Sequence, residues 1–100
     1  MAHFLLIYDL AADYLDRRGD HRAVHLRLAW DAAERGELLL GGALADPADQ
    51  AILLFEGADA QGAEGFARAD PYVVNGLVVA WRVRPWSTVV GAGAANKIRL

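Results

Sequence analysis

The chain contains no cysteine, which removes disulfides, thiolate metal sites and thiol catalysis together. Such a composition suits a reducing compartment, and the cytoplasm is the expected location. No block of like charge occurs either. Ten basic and thirteen acidic residues are interspersed and leave a net charge of −3, so there is no electrostatic footprint for nucleic acid or an anionic membrane. Long apolar runs are missing as well. The first, Phe4 to Tyr8, stops at Asp9 and follows no basic segment, which makes it too short for a signal peptide or a membrane span. Prolines number only three, and Pro47, Pro71 and Pro85 each fall where the residue pattern changes.

What the chain does have is apolar residues at 55% against 23% charged, a globular composition. A hundred residues make one core, and the pattern divides into a domain over 1–90 and a Gly/Ala-rich tail over 91–100, expected to be mobile. His3 to Tyr8 reads as a strand. A helix is expected from about Asp20 to Arg35, stopped by Gly36, with a looser turn before it. The apolar stretches within Glu37 to Leu44 and from Ala51 to Phe55, separated by Asp46-Pro47-Ala48-Asp49, form a hairpin pattern. Asp59 to Ala69 carries Ala60, Ala63, Phe66 and Ala67 at helical spacing and is ended by Asp70-Pro71. After the turn signal Asn75-Gly76, Leu77 to Arg84 reads as the last strand, closed by Pro85.

The order is therefore βαββαβ, an α+β, ferredoxin-like sandwich whose antiparallel sheet carries two helices on one face. In the first strand Phe4 and Leu6 are apolar on one parity and Leu5 and Ile7 on the other. Ile52 and Leu54, and Leu53 and Phe55, repeat this in the third. A sheet with one wet face alternates apolar and polar residues, so these strands predict that the open face is covered. With no sequence left to cover it, a homodimer through that face is expected.

On a helical wheel Val24, Leu26, Leu28, Ala29, Ala32 and Ala33 share a broad arc with His25 near its middle, while Arg27, Asp31 and Glu34 lie opposite. His25 should thus face the sheet, where an imidazole must find a partner; a core histidine bonded to a backbone carbonyl and a reactive one fit equally. His21 and His25 stand at i, i+4, the spacing of paired metal ligands, but no further ligand motif accompanies them, so no metal and no cofactor is expected. His3 reads as a strand-edge residue. Asp70 lies between a helix and a strand, where capping the turn is its ordinary use.

Arg22-Ala-Val-His25-Leu26, Gly36-Glu-Leu-Leu-Leu-Gly-Gly42, Phe66-Ala-Arg-Ala-Asp-Pro-Tyr72, Gly76-Leu77 and Val83-Arg-Pro-Trp86 occur together in this order. In this combination the chain resembles the YciI-like (YCII-related) family over about residues 1–90. The resemblance implies a ferredoxin-like domain dimerising sheet to sheet as a dimeric α/β barrel, with His25 and Asp70 as a histidine/aspartate active-site pair. It departs from many relatives at Ala43, where they carry proline. Beside such a pair Arg22 could hold an anionic oxygen, Gly41 and Gly42 leave room at the sheet, and Tyr8 and Tyr72 line the cleft.

Two functions follow as expectations. One is a cofactor-independent lyase or isomerase that moves a proton on a small molecule in an apolar cleft; elimination from a chlorinated or hydroxylated ring is a chemistry the resemblance implies. The other is a non-catalytic dimeric module that binds a small ligand or serves structurally. RNA recognition shares the element order, but Ala51-Ile-Leu-Leu-Phe-Glu56 lacks the basic and aromatic pattern that such sheets use.

Overall fold

A computed structural model describes all residues from Met1 to Leu100. The elements are β1 (Ala2–Leu10), α1 (Tyr14–Glu34), β2 (Leu38–Ala43), β3 (Gln50–Gly57), α2 (Gln61–Ala69), α3 (Pro71–Val74) and β4 (Val78–Trp86). The four strands form one antiparallel sheet in the order β2-β3-β1-β4, with the helices on one face, the ferredoxin-like arrangement expected. No helix is long and apolar enough to cross a membrane.

Register assigns each strand residue to a face. Phe4, Leu6 and Tyr8 of β1 stand opposite Phe55, Leu53 and Ala51 of β3, and all six are buried beneath the helices. Burying a side chain of the size of Leu or Phe contributes about 1.5–3 kcal/mol, so this row is the main stabilising seam of the domain. On the other parity Leu5 faces Leu54 and Ile7 faces Ile52, each only half-buried. The expected two-sided strands are thus present, and no element of this chain covers the second face. Asp9 closes one end of that face: Gln50 and Arg82 donate to it at 2.9 Å each, and these bonds hold its carboxyl below the usual range.

Three boundaries differ from expectation. Helix α1 begins at Tyr14, six residues before the expected Asp20, and runs straight through Gly19. A Cβ at Gly19 would meet nothing within 4 Å, so this exposed glycine costs the helix only its backbone entropy, roughly 1 kcal/mol relative to alanine. At the other end Gly36 adopts φ +79, and the bonds Gly36 N to Ala33 O and Glu37 N to Ala32 O form the double closure that a left-handed residue permits. Strand β4 continues through Pro85 to Trp86 instead of ending there, because β4 is an edge strand and a missing N–H is tolerated at an edge. Pro71 opens an extra short helix, α3, where a plain turn was expected.

The wheel also needs correction. Val24 and Leu26 are exposed at 54% and 40%, while Tyr14, Ala32 and, in part, His25, Leu28, Ala29 and Ala33 face inward. The inward stripe runs through polar positions, so apolar residues alone misplace its centre by part of a turn. After β4 the chain folds back. Asn96 N donates to Thr88 O and Ile98 N to Val89 O, turning the segment back on itself, and Thr88 Oγ1 meets His3 Nδ1 at 2.7 Å.

Candidate active site

Helix α2 ends at Asp70, whose extended backbone (ψ 122) lets Pro71 start α3. The Asp70 side chain caps α3, accepting Tyr72 N–H at 3.0 Å through Oδ1. Its capping role and its place in the site are therefore one geometry. The same Oδ1 accepts from His25 Nδ1 at 2.8 Å, and Oδ2 accepts the Tyr8 hydroxyl at 2.8 Å. Asp70 is 0% exposed, and three donors from β1, α1 and α3 converge on it.

An ionised carboxylate only accepts, so the proton between His25 and Asp70 belongs to Nδ1. The neutral imidazole then carries its lone pair on Nε2, which makes no hydrogen bond. No buried side-chain polar atom lacks a partner, so Nε2 is open to the cavity that His25 lines. The ring itself is held flat: it stacks on Tyr72 at 3.8 Å between centroids and 8° between planes, with the edge of Phe66 at 6.3 Å. Tyr14 meets the Tyr72 ring edge-on at 5.7 Å. One ring nitrogen is fixed and the other is presented, as a group that accepts and returns a proton requires.

The phenols around the pair stay protonated. Burial, then the negative charge and hydrogen bond of Asp70, push the Tyr8 hydroxyl well above the usual tyrosine range. Burial also pushes Tyr72 up to about 12, with Tyr14 and Asp70 adding to the rise while Arg22 and Arg18 oppose it. Tyr8 is consequently a donor to Asp70, and its ring lines the cavity.

The cavity, about 420 Å³, lies between α1 and the β2–β3 side of the sheet, a size that suits a small molecule. Among its lining residues are Tyr8, Arg22, His25, Gly41, Gly42 and Tyr72, so every expected site residue except Asp70 reaches it, and Asp70 stands directly behind His25. The two glycines differ. A Cβ at Gly41 would lie 3.3 Å from Leu53 Cγ, so the bare backbone there admits close packing of Leu53, whereas a Cβ at Gly42 would meet nothing within 4 Å. His21 turns to Asn75 at a long 3.5 Å and does not join His25.

Sequence reasoning missed Tyr14, Arg18 and Trp30, all of which line the cavity. For Tyr14 and Arg18 the signal was the spacing Tyr14, Arg18, Arg22, His25, Ala29, which follows one helix face at intervals of three and four; Trp30, off that series, left none. It was hidden by starting the helix after Gly19.

The fold and this site define a class: a ferredoxin-like α+β domain with an aspartate-held histidine at a small-molecule cavity. The YCII-related domain model matches residues 1–87, and the chain belongs to that family. A solved structure similar to it is the 5-chloro-2-hydroxyhydroquinone dehydrochlorinase of Burkholderia phenoliruptrix in complex with 2,5-dihydroxybenzoquinone. The two are 21% identical, with a TM-score of 0.72 over 86% of this chain and 94% of that one. A second, a protein of Agrobacterium tumefaciens, is 16% identical with a TM-score of 0.52 over 95% and 98% of the two chains. Among curated proteins no match is found.

Proposed function

We propose that this protein is a cofactor-independent lyase or isomerase in which His25 is the proton-transferring group and Asp70 holds it. The observation that carries the reading is the 2.8 Å bond from His25 Nδ1 to Asp70, which leaves Nε2 as the free base. In the reaction Nε2 takes a proton from an acidic C–H or ring O–H of the bound molecule, and the electron pair moves into the ring. In a lyase the pair expels a leaving group as its anion; in an isomerase the imidazolium returns the proton at another carbon. Asp70 stabilises the transient imidazolium. Tyr72, which lines the cavity beside His25, offers its hydroxyl to the developing oxyanion. The neighbouring dehydrochlorinase, bound to a dihydroxybenzoquinone, supports a ring compound as the substrate type.

The test is turnover of hydroxylated and chlorinated ring compounds by the parent protein, His25→Ala and Asp70→Asn. The Asn variant keeps an oxygen for His25 and Tyr72 while the Tyr8 hydroxyl rotates to accept, so it folds but no longer stabilises the imidazolium. We expect losses of about 10²–10⁴-fold for His25→Ala, with binding retained. Full activity in both variants sinks the reading.

We also propose that the active form is a homodimer formed through the open sheet face. Leu5, Ile7, Ile52 and Leu54 are only half-buried there, Leu40 is exposed, and a second copy would bury them. Sedimentation should give twice the chain mass for the parent and the single mass for Leu54→Glu; a parent that sediments as a monomer at all concentrations refutes it.

A further inference from the structure

The cavity is basic in an acidic protein. Its lining includes Arg18, Arg22 and His25 and no Asp or Glu, although the whole chain carries −3. Four other guanidinium groups find carboxylates, Arg17, Arg35, Arg68 and Arg82 sitting 2.9–3.8 Å from Asp13, Glu37, Glu64 and Asp9, while Arg27, Arg84 and Arg99, away from the cavity, do not. Arg18 and Arg22 form no such pair. Their charge nevertheless acts within the cavity, since both oppose the rise at the hydroxyl of Tyr72, whose ring stacks on His25. Arg18 is also oriented, its guanidinium 5.6 Å above the Tyr14 ring. Asp70, the one acid nearby, is buried behind the imidazole and saturated by three donors, so two guanidiniums leave the cavity positive.

From these observations we infer that the cavity selects a ring acid, with Arg18 and Arg22 gripping its carboxylate at a set distance from His25. The inference rests on the proton-transfer reading of His25 and names the class of molecule that site takes. Along the helix axis the backbone of Arg22 lies about 4.5 Å and that of Arg18 about 10.5 Å from that of His25, at 1.5 Å per residue. A carboxylate between them is separated from the imidazole by about one six-membered ring. The rest of the lining suits such a ring, thirteen of the eighteen residues being hydrophobic, with Leu39 and Trp30 among them. The carboxylate accepts from the planar guanidinium forks, which a neutral substituent of the same shape does far less well.

Calorimetric titration with 4-hydroxybenzoate and its neutral isostere 4-hydroxybenzamide tests this. The acid should bind at least about 10-fold more tightly at low salt, and the preference should shrink as salt is raised. It should fall to about 2-fold or less in the Arg18→Met, Arg22→Met double variant and recover in part with lysine at both positions. Equal affinities overturn the inference. So does a preference that survives loss of both arginines, or no binding of either compound at millimolar concentration. The His25→Ala variant separates this result from the proposed function: it should keep the preference for the acid while losing turnover. Full turnover there refutes the proton-transfer role and leaves the preference to be judged by the arginine variants alone.

Discussion

Two histidines of this protein each meet a carboxylate, on opposite faces of one sheet, and they are built for different ends. His3 spends both ring nitrogens, Nδ1 on Thr88 Oγ1 at 2.7 Å and Nε2 on Glu56 at 3.3 Å, with its side chain 2% exposed. His25 spends only Nδ1, on a carboxylate that is wholly buried, and its side chain is 15% exposed toward a cavity. Burial and an acidic neighbour are common to both. What separates the proposed proton carrier from a fastening is the nitrogen left without a partner, together with a space in which a molecule can reach it.

The largest test of that contrast is catalytic. His25→Ala should lower turnover by about 10²–10⁴-fold, whereas His3→Ala should leave it unchanged and instead increase amide hydrogen exchange over residues 88–98. Loss of activity in His3→Ala would break the distinction.

The two carboxylates should differ in stability. Removing Asp70 as alanine strands the Tyr8 hydroxyl and the Tyr72 N–H in a buried setting, with a cost of roughly 3 kcal/mol in urea unfolding. Glu56→Ala, at a side chain 34% exposed, should cost less than about 1 kcal/mol.

A pH experiment sharpens the same contrast, because the elevated phenols surround only His25. Tyr72 is raised from 10.0 to about 12, and Tyr8 is raised too, so above pH 10 the folded chain holds protons that the unfolded chain releases. This stability is fully present below pH 10 and is lost as pH climbs from 10 towards 12. Unfolding free energy measured at steps across that interval should fall, and should fall less in Tyr8→Phe.

A further small effect belongs to the outer face of α1. Gly19→Ala has open space for its Cβ and should stabilise the protein by about 1 kcal/mol, or about 4–8 °C in Tm, without changing the site. A change in turnover there would show that the beginning of the helix is coupled to the cavity.

Much of this was readable residue by residue. The double parity of Phe4-Leu5-Leu6-Ile7 and Ile52-Leu53-Leu54-Phe55, the helix stop at Gly36 and the break at Asp70-Pro71 appear where expected. Arg18 and Tyr14 escaped because glycine counts against a helix only locally, and twenty-one residues of helix outweigh one such cost. Strand β4 ran past Pro85 because a proline's missing donor matters only where a neighbour needs it, and edge position is a property of the whole sheet. The contact of Thr88 with His3 joins residues 85 positions apart and leaves no periodic trace.

By itself, then, the order of residues determined the element types, the two-sided strands and the inward turn of His25, since these follow from local periodicity and backbone preference. Tertiary structure decided which nitrogen of that ring is free, where its carboxylate comes from and which arginines share its cavity. Asp70 lies 45 residues from His25 and Tyr8 lies 62 from Asp70, so their meeting is set by how the helices cross the sheet, a packing outcome no local pattern encodes.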